Sequence, residues 1–235
     1  MTDANKYGNM PNIDDLYKDE PYIHTQAGRF YLDRPQFVPA AIGHSLGQLA
    51  RFNGHTSRFY SVAEHCMLVA YILEREYGGN GLEGLWHDAL EAYLTDIPSP
   101  WKHLFPDVKR FDDALEAKLR AFLGLAGEHK STECKKADIL ALFIEAYFLL
   151  PERGEDFHDP WNLRKEALAM VATGEYNVRC LDWKTAGSLW VSFHEAYNGT
   201  KGWEEIYEEI QEYNDPWDAF RVQAPGYALD SAGRC

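Results

Sequence analysis

The sequence predicts an all-α fold that includes one small β-hairpin near the N terminus. Apolar residues recur at helical intervals through most of the chain, most clearly over 61–77. Glycine- and proline-rich breaks, such as the segment 78–84, separate these stretches at the points where helices end. A pattern typical of two short strands occurs once, at 22–32.

The first elements follow from local signals. Residues 22–32 (YIHTQAGRFYL) predict a hairpin around a Gln-Ala-Gly turn, and residues 37–52 predict a helix that begins near a proline. Ser61 and Glu64 have the spacing of a capping box, in which two side chains satisfy the free N–H groups of a helix start. This spacing predicts a helix that carries His65 in its first turn.

Later elements are helical as well. The stretch 84–102 (GLWHDALEAYLTDIPSPWK) predicts a helix that its prolines end. Residues 151–162 predict a loop, and 203–213 predicts a helix with one apolar and one acidic face. The other predicted helices are 113–125, 135–150, 163–173 and 185–199.

We predict three parts in the chain, which has 235 residues and can bury a substantial core. An N-terminal segment, 1–36, carries the hairpin, and a helical core covers 37–150. A helical extension, 151–235, is expected to pack on this core. The extension has helical periodicity but no cluster of candidate ligands, so it predicts added packing rather than a second active site.

Charge and composition exclude several classes of partner. The net charge of −14 argues against a nucleic acid polymer or an anionic membrane, because both are bound mainly by Lys and Arg. The longest apolar stretch, 139–150, is shorter than the roughly 20 residues of a membrane span. The polar, acidic N terminus lacks the pattern of a secretory signal, so we expect a cytoplasmic protein.

The cysteines predict free thiols. Four cysteines are scattered along the chain without a Cys-x-x-Cys pair. Neither a disulfide framework nor a thiolate zinc site is therefore indicated. They are Cys66, Cys134, Cys180 and Cys235.

Ionisable residues interrupt the apolar pattern of 84–102. His87, Asp88, Glu91 and Asp96 lie in this stretch, and on a helix the first three would share one face. A buried carboxylate costs several kcal/mol unless it is paired or bound to a cation. The stretch therefore predicts a compensating partner.

A divalent metal ion is one such partner. The adjacent His87 and Asp88 offer one nitrogen and one oxygen, a mixture that suits Mn²⁺, Co²⁺, Fe²⁺, Zn²⁺ or Mg²⁺. Candidates for further ligands are His65, near a helix N terminus, and Asp138, inside an apolar run. Each residue alone is more often a hydrogen-bonded structural residue than a ligand, but their combination favours a metal site.

Five motifs resemble those of the HD-domain metal-dependent phosphohydrolases, an all-α superfamily. More narrowly, they resemble the bacterial 5′-deoxynucleotidases and the phage deoxynucleoside triphosphate phosphohydrolases, including the phage dATP triphosphohydrolase. The resemblance covers about residues 40–150. The motifs are Arg51-Phe52, Ser61-Val-Ala-Glu-His65, His87-Asp88-Ala-x-Glu91, Asp96-Ile-Pro-x-Pro100-x-Lys102 and Lys136-Ala-Asp138.

The resemblance implies a role for each matched residue. Glu91 would transfer protons at the attacking water or the leaving group, and Asp96 would be a second functional carboxylate. Arg51 and Lys102 would contact substrate phosphate. Phe52 stands where the family often has Trp, so stacking on a base is expected to differ. The implied metal ligands are His65, His87, Asp88 and Asp138.

The expected function is metal-dependent hydrolysis of (deoxy)nucleotide phosphates, with water attacking the α-phosphorus. Either a triphosphohydrolase or a 5′-deoxynucleotidase fits. The expected partner is a small nucleotide, and the resemblance also implies a homo-oligomer. The remaining histidines outside the hairpin are expected to be structural or surface residues, although His55 could approach the phosphates: they are His44, His55, His103, His129, His158 and His194.

Two other functions stay open at this point. A phosphodiesterase of the same superfamily is disfavoured because the chain lacks the extra histidine pairs of a binuclear site and a basic surface. A non-catalytic interaction protein with an HD scaffold is disfavoured because it has no need of Glu91, Asp96 or Arg51.

Overall fold

The computed structural model describes residues 22–102, 104–197 and 199. These residues are mostly helical and include one two-stranded sheet. The chain divides into two compact units, Met1–Gln36 and Phe37–Cys235. The helix predicted at 203–213 and the residues His103 and Cys235 lie outside the described residues.

The first unit contains the predicted hairpin. Strand β1 (Tyr22–Thr25) pairs antiparallel with β2 (Gly28–Tyr31), with Tyr22 opposite Tyr31. Gly28 has a φ of 106°, which a residue with a side chain rarely adopts, and this allows the tight turn. The hairpin prediction at 22–32 is therefore confirmed.

The second unit is built from helices. In chain order they are α1 (Pro39–Gln48), α2 (Val62–Tyr77), α3 (Gly81–Trp86), α4 (Glu91–Leu94), α5 (Ser99–Lys102), α6 (Pro106–Leu123), α7 (Thr132–Leu149), α8 (Arg164–Thr173) and α9 (Trp183–Tyr197). A single 3-10 turn, Arg51–Gly54, follows α1. Among the described helices, none combines the length and apolar content needed to cross a bilayer.

Helix α1 ends four residues earlier than the predicted boundary at 52. Leu49 is extended, and Ala50 forms an isolated β-bridge with Ser61. In this bridge the Arg51 N–H donates to the Tyr60 carbonyl at 2.9 Å. The bridge ends α1 and fixes the 3-10 turn beside the start of α2.

The capping box predicted at the start of α2 is only half formed. The Ser61 hydroxyl accepts a hydrogen bond from the Glu64 N–H at 3.2 Å, as predicted. The Glu64 carboxylate instead accepts hydrogen bonds from three consecutive N–H groups of the segment 179–181, at 2.7, 3.0 and 2.8 Å. This buried glutamate therefore anchors the chain before α9 to the start of α2.

The prediction of one helix from residue 84 to the prolines at 98 and 100 is wrong, because the chain breaks more than once before them. Helix α3 ends at Trp86, and residues 87–90 form turns with bonds from residue i+3 to residue i, such as Glu91 N–H to Asp88 O at 3.0 Å. After the one-turn helix α4, Thr95 has a φ of 68°. His87 and Asp88 thus lie on a turn and not on a regular helix with Glu91.

Helix α2 is the centre of the core, since its first twelve residues are all buried. Helices α3, α7 and α9 pack on α2, and α9 also runs along α1. The contact between α1 and α9 depends on glycine, because a Cβ on Gly43 would lie 2.8 Å from the Gly187 carbonyl oxygen. Cys66, Cys134 and Cys180 are free and buried, as predicted for the described cysteines.

Candidate metal centre

His65 lies in the first turn of α2 and is fully buried. Its Nε2 atom is 3.1 Å from the Nε2 atom of His87. On the other side of the ring, Nδ1 is 2.5 Å from the Oε1 atom of Glu145. The Nδ1 bond to a carboxylate leaves Nε2 available to a ligand, which is the arrangement typical of metal-binding histidines.

His87 and Asp88 follow the end of α3. The His87 Nδ1–H donates a hydrogen bond to the Gly84 carbonyl oxygen at 2.7 Å, which directs Nε2 toward His65. The Asp88 Oδ2 atom is 3.0 Å from the His87 Nε2 and 3.5 Å from the His65 Nε2. Its other oxygen accepts a hydrogen bond from Lys130 Nζ at 3.1 Å.

Asp138 reaches the same point from α7. Its Oδ1 atom is 3.2 Å from the His65 Nε2 and 3.8 Å from the His87 Nε2. The ligand atoms of these three residues all lie within 4.8 Å of one another. The structure therefore brings together His65, His87, Asp88 and Asp138, which come from three separate segments.

The separations fit ligands of one cation. Bonds from a transition metal to imidazole nitrogen or carboxylate oxygen are about 2.0–2.2 Å long, so ligands of one ion lie roughly 3 Å apart. Two imidazole nitrogens at 3.1 Å also require a proton or a cation between them. A set of two nitrogens and two carboxylates suits Mn²⁺, Co²⁺, Fe²⁺, Zn²⁺ or Mg²⁺.

The pKa shifts of His65 and Asp138 reflect the attraction between the imidazoles and the carboxylates of the centre. Burial and Arg51 oppose a charge on His65, but the neighbouring carboxylates raise the pKa of its imidazole well above its usual range. Burial disfavours the charged form of Asp138, but the two histidines lower its pKa to about 2. The site thus holds carboxylates in their charged form facing the imidazoles.

Glu145, one of the buried residues of α7, was not predicted as part of the site. Its carboxylate contacts His65, and also accepts hydrogen bonds from Arg51 Nη2 and Tyr60 Oη, both at 3.2 Å. The sequence carried one signal for this residue: Glu145 interrupts the apolar run 139–150. Nothing in that run indicates which residues it contacts.

Glu91 is buried at the start of α4. Its Oε1 atom is 3.9 Å from Lys102 Nζ, and its Oε2 atom is buried without a hydrogen-bond partner among the described residues. Burial raises the pKa of Glu91 well above its ordinary value, and the charges of Asp88 and Asp96 raise it further. This carboxyl group therefore favours its protonated form.

Asp96 follows the strained Thr95 and is partly buried. Burial raises its pKa, and Asp88 adds to this, whereas Arg51, His65 and Lys102 oppose it. These electrostatic interactions place Asp96 in the surroundings of the centre.

Arg51 lies in the 3-10 turn, where Phe52 has a φ of 54°. Its Nη1 atom is 4.0 Å from Asp88 Oδ2, and its Nε atom is buried without a hydrogen-bond partner among the described residues. The guanidinium carbon is 5.5 Å from the centre of the Phe52 ring. Arg51 thus faces the centre with one donor still available.

A cavity of about 330 Å³ adjoins the centre and is lined by His87, Asp88 and Glu91. Lys102 is the one predicted substrate-binding residue on its wall, and its Nζ is also 3.8 Å from Asp112 Oδ2. The wall also includes His129, which was expected to be a structural or surface residue, and three lysines that the sequence did not single out, Lys109, Lys130 and Lys135. His55 is exposed. A second cavity, of about 410 Å³, is lined instead by Gln48, Arg58, Phe59, Cys180, Leu181, Asp182 and Trp183.

Comparison with known proteins identifies one family. No protein-family model matches the chain. Over 128 residues, which cover 53% of this chain and 70% of the relative, it is 41% identical to the uncharacterized protein YfdR of Escherichia coli (strain K12). The chain belongs to the family of YfdR. It is also 38% identical over 91 residues to an uncharacterized protein of Rhodobacter capsulatus, covering 36% of this chain and 46% of that protein.

Proposed function

We propose that this YfdR-family protein is a metal-dependent phosphohydrolase of the HD-domain type that acts on (deoxy)nucleotides. One observation carries the proposal: two imidazole nitrogens and two carboxylates converge beside a buried carboxyl group that has an unpartnered oxygen. A structural ion-pair cluster explains the convergence but has no use for the unpartnered oxygen. A hydrolytic site uses both.

His65, His87, Asp88 and Asp138 would hold the divalent ion. When bound, such an ion lowers the pKa of water and neutralises negative charge on a phosphoryl oxygen. The protein supports this set with a second layer of contacts, since Gly84 orients His87 and Lys130 orients Asp88.

Glu91 would donate the proton that the leaving oxygen requires. Hydrolysis forms a bond between the water oxygen and the α-phosphorus, with one proton of the water passing to solvent, and it breaks the bond from that phosphorus to the 5′ oxygen, which must gain a proton. Burial and the nearby carboxylates Asp88 and Asp96 raise the pKa of Glu91, which favours its protonated form, and its unpartnered Oε2 atom would give that proton to the leaving oxygen. Asp96, whose pKa is also raised, would assist near the sugar or the water.

Positive side chains would bind the phosphate. Arg51 offers its unpartnered Nε, and guanidinium groups match phosphate oxygens in geometry. Lys102 stands on the wall of the adjoining cavity, together with Lys130. The wall carries four lysines beside five carboxylates, so a bound cation would supply the net positive charge that an anionic substrate requires.

Nucleotide turnover tests the proposal directly. Purified protein with Mn²⁺, Co²⁺ or Mg²⁺ is incubated with each deoxynucleoside monophosphate and triphosphate, and free phosphate and triphosphate are measured. We expect product, and we expect Glu91→Gln to lower kcat by about 10²–10⁴-fold. Glu116→Gln, which changes another carboxylate on the cavity wall, is the matched control and should stay active. No product from any nucleotide contradicts the proposal.

A further inference from the structure

Glu145 bridges two parts of the site that are far apart in sequence. It is fully buried and lies seven residues after Asp138 on α7, so the two side chains share a helix face. Its Oε1 atom contacts His65 Nδ1 at 2.5 Å, and its Oε2 atom accepts from Arg51 Nη2 at 3.2 Å. One carboxylate thus contacts a metal-ligand candidate and the phosphate-binding candidate at once.

Both oxygens of the buried Glu145 carboxylate have hydrogen-bond partners. A buried carboxylate is kept only when its oxygens are well satisfied, and here both oxygens accept from charged or ring donors. A third donor, Tyr60 Oη, gives a further hydrogen bond to Oε1. Glu145 therefore contacts His65 and Arg51 through separate oxygens of one carboxylate.

We infer that Glu145 is a positioning residue that couples the metal site to the phosphate site. It fixes the proton of His65 on Nδ1, so that Nε2 faces His87, and it fixes the guanidinium of Arg51 beside Asp88. This inference rests on the proposed function. It adds that affinity for the ion and affinity for phosphate depend on one residue that contacts neither.

Glu145→Gln tests the coupling with little change of volume. The amide offers one acceptor where the carboxylate offered two, so one NH₂ group must face either Arg51 or the His65 and Tyr60 donors. The control is Glu64→Gln, the same change at a buried glutamate whose contacts are the backbone N–H groups of 179–181. Both variants replace a buried carboxyl group by an amide, but only Glu145 contacts His65 and Arg51.

Two measurements that do not require turnover report the result. Mn²⁺ affinity is measured by the electron paramagnetic resonance signal of the free ion, and orthophosphate affinity is measured by calorimetry on Mn²⁺-saturated protein. We expect Glu145→Gln to weaken Mn²⁺ binding about 10–100-fold. It should weaken phosphate binding as much as Arg51→Ala does, with no further loss in the double variant. Glu64→Gln should stay within about twofold of wild type in both.

Each outcome decides between the two proposals. Equal Mn²⁺ affinity in Glu145→Gln and Glu64→Gln overturns the positioning role, and a loss of Mn²⁺ affinity with unchanged phosphate affinity overturns the coupling. If the variants show the expected losses of Mn²⁺ and phosphate affinity but wild type hydrolyses no nucleotide, the proposed function fails and the coupling stands. Wild type that binds neither Mn²⁺ nor Co²⁺ overturns both. If circular dichroism shows that Glu145→Gln is unfolded, Glu145→Asp carries the same test, because the shorter side chain cannot reach both partners.

Discussion

Loss of Glu83 is expected to destabilise the protein because this residue joins three helices. Its Oε1 atom accepts from Arg120 Nη1 of α6 and from the Ser131 N–H, both at 2.8 Å. Its Oε2 atom accepts from the Ser131 hydroxyl at 2.8 Å, and that hydroxyl caps α7 by accepting from the Cys134 N–H at 3.0 Å. The glutamate on α3 thus fixes the start of the helix that carries Asp138.

The size of the effect follows from burial. Hydrogen bonds to a charged group contribute about 1.5–3 kcal/mol each, so three of them contribute about 5–9 kcal/mol before the cost of burying the carboxylate. That cost is several kcal/mol, and removing one partner of a buried pair leaves a net loss of about 3–5 kcal/mol. Arg120 is 5% exposed and would lose its close carboxylate partner in Glu83→Ala. We therefore expect the free energy of unfolding to fall by about 3–5 kcal/mol.

Urea unfolding followed by circular dichroism measures this loss. The matched control is Glu116→Ala, because Glu116 Oε1 is 3.8 Å from the same Arg120 Nη1. At that distance and with partial exposure, its removal should cost at most about 1 kcal/mol. A loss below about 1 kcal/mol in Glu83→Ala, or an equal loss in both variants, would refute the reasoning.

Three further predictions concern pH, packing and the metal. Burial raises the pKa of Glu83, but its hydrogen bonds outweigh this and lower the pKa below the ordinary value of 4.5. The charged Glu83 carboxylate therefore contributes fully to stability above pH 4.5. The difference in unfolding free energy between wild type and Glu83→Ala should shrink as the pH falls below that value. A difference that stays constant would contradict this. Gly187→Ala should lower the unfolding free energy by about 1–3 kcal/mol in a thermal unfolding experiment, because the added methyl group meets the backbone of α1. The control Ser188→Ala, on the exposed face of α9, should leave stability unchanged. Equal melting temperatures in the two variants would argue against the close contact. Asp138→Ala should weaken Mn²⁺ binding at least about tenfold, with Asp113→Ala as the control carboxylate in the same cavity; unchanged affinity would remove Asp138 from the ligand set.

Local sequence patterns predicted most of the helices, because periodicity and capping act over a few residues. The helix predicted at 163–173 corresponds to α8, and Ser61 caps α2 as expected. Boundaries were less accurate. Helix α7 begins at Thr132, three residues before the predicted start, because the Ser131 side chain caps it.

The prediction of one helix from residue 84 to the prolines at 98 and 100 failed for a tertiary reason. Helix α3 packs closely on α2, since a Cβ on Gly84 would lie 2.7 Å from the Ala70 Cα. The chain then turns at His87, which donates to the Gly84 carbonyl and points toward α2. Periodicity alone favoured a continuous helix because the apolar spacing of a turn and of a helix is similar over so few residues.

The sequence by itself determined which residue types the centre contains. His65, His87, Asp88 and Asp138 are unusual in their apolar surroundings, and that anomaly is visible without a structure. Only the tertiary structure decided which hydrogen-bond and ion-pair partners these four side chains have. The bond from His65 to Glu145 spans 80 residues and the bond from Lys130 to Asp88 spans 42. Such partners are set by how helices pack on α2, and a local pattern carries no information about which distant side chain packing will place within hydrogen-bond distance.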